Sequence, residues 1–443
     1  MAKAKTVYIC RECGYQAAIW KGKCPECEAW NSLEEQGVAP LRAARGPASG
    51  NRPIPVTEVP MDHTELRQSL GIGELDRVLG GGLVAGSLTL IGGDPGVGKS
   101  TLLLAALHAL ASRGLRVLYV SAEESARQVR LRAERMGTLS SNLYLLAETD
   151  LDVVLAGIED LRPTVLVLDS VQTLFRGSSD GVAGSIVQVR EVATIAMRLS
   201  KGKEIATFLV GHVTKEGNLA GPRALEHLVD TVLYLEGDGS TGLRILRATK
   251  NRFGSTGEIG LFEMREGGLV EVPDASARLL EERAVGAPGT VVTCAVEGSR
   301  PLLVEIQALV GRPTQGNPGR SVVGLERTRL AMILAVLGRL GLDLGDRDIF
   351  VSAAGGVRVL EPAADLAIAI AIHSAATGRP VHPELIAFGE VGLVGEVRGV
   401  AFPSLRLKEA ERHGFRRAMV PASVREEVGM SLDLCRTLRE VLA

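Results

Sequence analysis

The sequence predicts an α/β domain with a parallel sheet, preceded by a small cysteine module and followed by a second domain of α+β type. Three observations carry that prediction. A glycine-rich segment at residues 93–100 reads G-x-x-x-x-G-K-S and lies between a strand-length apolar run and a Leu/Ala-rich helical one. Apolar runs at residues 116–120, 164–168 and 206–210 have the character of strands buried on both faces. Paired cysteines stand near the amino end, and beyond residue 273 strand-like runs and helical segments follow in a new pattern.

At 443 residues the chain exceeds a single usual core and should divide into domains. Hydrophobic residues make up 46%, yet no apolar run reaches about 18 residues and the amino end has no apolar signal-like region. Neither a membrane span nor a signal peptide is expected, which implies a cytoplasmic location. A net charge of −2 excludes a generally cationic surface, so nucleic acid would have to be met by local basic patches.

Cys10 and Cys13 form one C-x-x-C pair and Cys24 and Cys27 a second, with ten residues between them. Four thiolates on two knuckles are the tetrahedral soft-ligand set that Zn²⁺ prefers, and four protein sulfurs leave no open position, so the site is structural. A redox C-x-x-C would sit in a βαβ pattern, and neither pair does. Trp20 and Trp30 are expected to cover a module too small for a core of its own. The module should span residues 1–34, and a Pro/Gly/Ala-rich linker residues 35–60. Cys294 and Cys435 stand alone.

The glycine-rich segment has the residues of a nucleoside triphosphate loop. Gly93, Gly96 and Gly98 allow close backbone approach, Pro95 stiffens the turn, and Asp94 and Val97 complete a cradle of N–H groups around a polyphosphate. Lys99 is expected to reach the β- and γ-phosphates of ATP and Ser100 to offer its hydroxyl to Mg²⁺. Thr101 should touch the nucleotide, and the helix that starts here adds its positive dipole end. Asp169 closes the apolar run from residue 164 and is the expected second magnesium group, acting through water.

Residues 70–87, which lead into the first strand, together with the cysteine module and the stretch Lys250-Asn-Arg-Phe-Gly254, give the chain a family resemblance over essentially its full length. It resembles the RadA (Sms) family of bacterial DNA repair proteins. The resemblance implies a RecA-like P-loop ATPase core at residues 61–272, with Glu123 as the base that activates water and Glu124 able to share that role. It makes His212 a sensor of the γ-phosphate. The loops at 176–184 and 216–223 would face DNA, with Arg176, Lys215 and Arg223 as contacts. Lys250 and Arg252 match a Lys-x-Arg element of replicative hexameric helicases that reaches the neighbouring subunit's γ-phosphate, and both are candidate DNA contacts as well. The implied partners are single-stranded and branched DNA, the RecA recombinase and further copies of the chain in a hexamer; the implied cofactors are ATP, Mg²⁺ and Zn²⁺.

In the last third, strands are expected at residues 290–296, 302–309 and 348–351. Helices are expected at 328–340, with Leu330, Ile333, Leu334 and Leu337 at core spacing, and at 362–376. With residues 390–396, this order at 273–443 resembles the proteolytic domain of Lon-type proteases, whose active members use a Ser–Lys dyad. The resemblance puts Ala363 at the nucleophile's place and Ser404 or Arg406 at the lysine's, with Lys408 displaced. Peptide hydrolysis is not expected from such a domain, which should serve assembly or DNA binding. Two other functions stay open on the sequence: an ATP-dependent protease using Ser352, Ser374 or Ser404, and a slow-ATPase ring serving as a protein platform.

Overall fold

The computed structural model describes residues 5–10, 16–17, 19–25, 28–38, 55, 57, 67–177, 184–212, 225–237, 242–313 and 318–442. Two compact units divide the chain: residues 1–237 with 244–271, and residues 238–243 with 272–443. No helix among the described residues is long and apolar enough to cross a membrane.

The amino-terminal module is a three-stranded antiparallel sheet in the order β2–β1–β3, formed by β1 (Lys5–Cys10), β2 (Gln16–Ala17) and β3 (Leu33–Val38). Pairing of β1 with β3 runs unbroken from Cys10↔Leu33 to Lys5↔Val38. The module therefore extends past the boundary expected at residue 34, because backbone ladder bonds continue where the side-chain pattern gives no signal. Its small core is Cys10, Ala17, Cys24 and Leu33 with Tyr8 against it. Trp20 and Trp30, expected as a cover, are 51% and 72% exposed, and Trp20 Nε1 donates to the Leu33 carbonyl at 3.2 Å. Buried thiols replace the aromatic cover at the centre.

The main sheet of the first unit has nine strands among the described residues. Its elements run α1 (Gly73–Leu79), β4 (Leu88–Gly93), α2 (Lys99–Ala111), β5 (Val117–Ser121), α3 (Ala126–Arg135), β6 (Leu143–Ala147), α4 (Leu151–Leu161) and β7 (Val165–Asp169). They continue with α5 (Ile186–Lys203), β8 (Ala206–Val210), β9 (Thr231–Gly237), β10 (Leu243–Asn251), β11 (Ile259–Arg265) and β12 (Gly268–Glu271). Strand order is β12–β11–β10–β9–β4–β8–β7–β5–β6. The stretch from β9 through β4, β8, β7 and β5 to β6 is parallel, and β10 returns antiparallel to β9. Alternate side chains feed two cores, as the strand period requires. Val117, Tyr119, Val165, Val167 and Phe208 pack beneath α2, while Leu118, Val120, Leu166, Leu168 and Leu209 pack beneath α4 and α5. Both faces are covered, which explains the unbroken apolar runs. Helix starts are fixed locally: Ser125 and Gln128 form a capping box on α3, and Asp150 and Ser185 cap α4 and α5.

The second unit contains α6 (Ala275–Leu280), β13 (Thr290–Glu297), β14 (Arg300–Gly311), β15 (Arg320–Val323), α7 (Arg327–Arg339), β16 (Asp348–Ala353) and α8 (Asp365–Thr377). After these come β17 (Leu385–Ala387), β18 (Glu390–Val391), β19 (Val397–Arg398), α9 (Pro403–Arg412), β20 (Arg417–Pro421), β21 (Ser431–Cys435) and α10 (Leu438–Leu442). Seven strands form one mixed sheet in the order β15–β16–β14–β13–β17–β20–β21, and β18 pairs with β19. Helix α8 is apolar almost all round and packs against β13, β14 and α7, the environment that such a helix requires.

Two ion pairs, each with one partner buried and the other partly exposed, hold this unit near the amino end of α8. Asp365 accepts from Arg329 Nε at 2.8 Å and from the Val391 N–H at 3.1 Å. Arg406, 1% exposed on α9, meets Glu361 in a bidentate pair at 2.7 and 2.6 Å and donates from Nε to the Ala401 carbonyl at 2.9 Å. Its Nη1 also reaches the Cys294 carbonyl. Ala363 is itself buried between these pairs in sequence. Arg406 is thus the residue that faces this segment; Lys408 is exposed. Removing the acid strands a buried guanidinium, so Glu361→Ala should cost about 3 kcal/mol of unfolding free energy. Urea denaturation followed by a probe in residues 272–443 measures it.

Candidate nucleotide site

The site forms where the parallel strands end. Ser121 pairs with Asp169, Leu168 with Leu209, and Ile91 with Val210. The ladder continues one step beyond the strands: Ala122 N–H donates to the Asp169 carbonyl at 2.7 Å, Val171 N–H to Val210 at 2.9 Å and Gly211 N–H to Ile91 at 2.9 Å. Glu123, Ser170 and His212 are therefore carried to one level beside the loop that leaves β4. This is the carboxyl edge at which open α/β sheets bind ligands.

The loop from Gly93 to Gly98 needs its glycines. Gly93 has φ 149°, and a Cβ there would lie 2.3 Å from the Leu235 carbonyl; Gly98 has φ 115°, and a Cβ would lie 2.7 Å from Leu269 Cδ1. Neither position accepts an L side chain without displacing its neighbours. Helix α2 begins at Lys99, so Ser100 and Thr101 lie in its first turn beside free backbone N–H groups. Asp94, Pro95 and Gly96 are exposed at the loop's crest, while Val97 is buried under it.

Lys99 is buried and all three ammonium protons have acceptors: the Gly93 carbonyl at 2.8 Å, the Asp94 carbonyl at 3.0 Å and His212 Nδ1 at 3.2 Å. Burial draws its pKa down, opposed by the charges of Asp169, Glu123 and Asp94. An ammonium only donates, so Nδ1 of His212 accepts and Nε2 carries the ring proton. That proton is donated to Glu123 Oε1 at 3.1 Å. The Ser170 hydroxyl also donates to Glu123. The His212 hydrogen bond is the foremost cause that holds the Glu123 carboxyl below its usual range, and it outweighs the opposing effect of burial. Glu124 takes a different partner, Arg132 on α3. Asp169 is buried and accepts from the Tyr119 hydroxyl.

Loop amides, an ammonium, a hydroxyl at a helix start and a carboxylate at the next strand end form a donor set suited to a polyphosphate and a hard cation. The structure therefore brings together Lys99, Ser100, Thr101, Glu123, Asp169 and His212. It does not bring Lys250 and Arg252 to them. Lys250 pairs with Val232 and Asn251 with Thr231, at the amino edge of the sheet, whereas Gly93 pairs with Leu235 at the other end. Four residues of strand make that separation about 13 Å. Lys250 Nζ donates to the carbonyls of Glu226 and Val229 at 2.6 and 2.9 Å, and Arg252 Nη1 meets buried Asp230 at 3.4 Å. Asp230 also takes the Leu88 N–H at 3.1 Å and pairs with Lys201 at 3.6 Å. Arg176 pairs with Asp152 at 2.9 Å. Lys215 and Arg223 lie outside the described residues, as do Cys13 and Cys27.

Sequence reasoning missed Tyr119, Ser170 and Asp230. A phenol in an otherwise apolar strand was the available signal for the first; the other two are ordinary strand-edge residues until the sheet order is known.

Comparison with known proteins matches residues 57–218 to the AAA domain, residues 8–35 to the rubredoxin metal binding domain and residues 312–424 to subunit ChlI of Mg-chelatase. The chain is 49% identical over 434 residues to DNA repair protein RadA of Streptococcus pyogenes, covering 97% of this chain and 96% of that one. The same protein of Bacillus subtilis is 47% identical over 430 residues, covering 96% and 94%. The chain belongs to the RadA family of DNA repair proteins. Like its family it combines a zinc ribbon, a RecA-like P-loop ATPase domain and a Lon-like second domain. Among solved structures, a KaiC-like protein of Pyrococcus horikoshii aligns at 21% identity with a TM-score of 0.39, covering 47% of this chain and 99% of that one.

In the nucleotide-free protein the Glu123 carboxyl should titrate below the ordinary carboxylate range. His212→Ala removes the main cause of the depression and should move that titration to higher pH; NMR titration of the labelled Glu123 carboxyl in both proteins reads it.

Proposed function

We propose that the chain is a DNA-dependent ATPase of helicase type that processes recombination intermediates, working on single-stranded and branched DNA beside the RecA recombinase. The observation that carries the reading is the joined set Lys99, His212 and Glu123 at the phosphate loop of a RadA-family chain. In this reading Glu123, ionised by its hydrogen bonds, takes a proton from the water that attacks the γ-phosphate. Lys99 leaves the loop carbonyls for the phosphate oxygens, and His212, bonded to both residues, senses that move. Ser100 and, through water, Asp169 would hold Mg²⁺, which would supply positive charge to the transferred phosphoryl group. Zn²⁺ would be held by Cys10, Cys13, Cys24 and Cys27; the burial of Cys10 and Cys24 in the ribbon core suits thiolate ligands.

The chain acts as a homo-hexamer in the cytoplasm. Lys250 and Arg252, remote from the loop of their own subunit, serve the γ-phosphate bound by a neighbour. Arg176, Lys215, Arg223 and these two cations contribute DNA contacts. Support for the first point is the opposite placement of residues 250–252 on the sheet.

Steady-state ATP hydrolysis with and without single-stranded DNA tests the reading. Turnover should rise strongly with DNA at low salt and vanish in Lys99→Ala. Turnover indifferent to DNA would favour the platform function, and ATP-dependent casein hydrolysis would favour the protease. Arg252→Ala should lower turnover by about a thousandfold, as loss of a trans-acting arginine does. In rings mixed with wild type, activity should fall below the line of simple dilution; a linear fall would end the trans assignment.

A further inference from the structure

Tyr119 belongs to the magnesium site, an inference that rests on the Mg²⁺-ATP reading above. The residue is 1% exposed and lies on β5 among Val117, Val165, Val167 and Phe208. Its direct partner on β7 is Val167, and Asp169 is two residues further along the same face. The phenol spans that diagonal and donates to Asp169 Oδ2. One buried oxygen is thus bonded to an expected magnesium group.

A phenylalanine would fill this apolar face with nearly the same volume, and burying a hydroxyl is unfavourable unless it is bonded. What the hydroxyl adds is its bond to Asp169. We propose that Tyr119 is a positioning residue for the cation: by bonding Oδ2 it fixes the Asp169 carboxylate that would hold Mg²⁺. Partners behind metal ligands govern affinity in this way.

The test is the binding of a slowly hydrolysed ATP analogue to the full 443-residue chain by calorimetry, in Mg²⁺ and in EDTA, for wild type and Tyr119→Phe. Thermal melting of the nucleotide-free proteins serves as the control on folding. In the variant, the tightening that Mg²⁺ confers should shrink about tenfold, while affinity in EDTA stays at the wild-type value. Equal Mg²⁺-linked tightening in both proteins overturns the assignment. So does a matching loss of affinity in Mg²⁺ and in EDTA, which would make Tyr119 a packing residue of the loop. A wild type whose binding ignores Mg²⁺ would instead remove the magnesium reading itself, and this assignment with it.

Discussion

The Lys99 ammonium is the charge on which the nucleotide site balances. Its protons satisfy two loop carbonyls and one imidazole nitrogen, and through that imidazole they determine which tautomer His212 adopts. The tautomer in turn directs a donor at Glu123. A phosphate oxygen entering the loop would compete with these three acceptors for the Lys99 protons. Because one of the acceptors is the imidazole bonded to Glu123, Lys99 and the Glu123 carboxylate are coupled through one hydrogen-bonded chain.

That coupling depends on strand register. Glu123 and His212 are 89 residues apart in sequence and meet because β5, β7, β8 and β4 pair in parallel with their ends aligned. A slip of one residue in any pair would turn one of these side chains to the opposite face. The same register sends the next functional element away. Since β10 runs antiparallel to β9, Lys250 and Arg252 emerge at the amino edge, where Asp230 ties Arg252, Lys201 and the start of β4 together. The sheet thus has two charged ends, one carrying the phosphate loop and one where cations are held by Asp230 and by loop carbonyls.

Local signals were legible in the sequence. The phosphate loop, the strand before it and the helix after it follow from glycine spacing and apolar runs, and the core strands at 206–210 and 290–296 lie within one residue of their observed limits. The paired cysteines likewise announced a module. What the sequence could not display was anything made by pairing: the strand order, the extension of β3 to Val38, and the contacts of Tyr119, Ser170 and Asp230. Trp20 and Trp30 show the other limit, because aromatic residues announce burial only where a core is large enough to hold them.

The second unit holds an ion-paired structural arrangement where the Lon resemblance would put a catalytic pair. A lysine serving as base must shed its proton, which burial beside apolar groups promotes. Arg406, at a position the Lon resemblance offers to that lysine, carries a guanidinium, which donates hydrogen bonds and accepts none. Its guanidinium is spent on the two oxygens of Glu361 and the carbonyls of Ala401 and Cys294, and it lies 5.8 Å from the Phe388 ring centre. With Ala363 buried and lacking a hydroxyl, no nucleophile stands at the matching place for such a base to activate. The hydrogen bonds that make Arg406 a fixture of the fold are the same ones that exclude it from proton transfer.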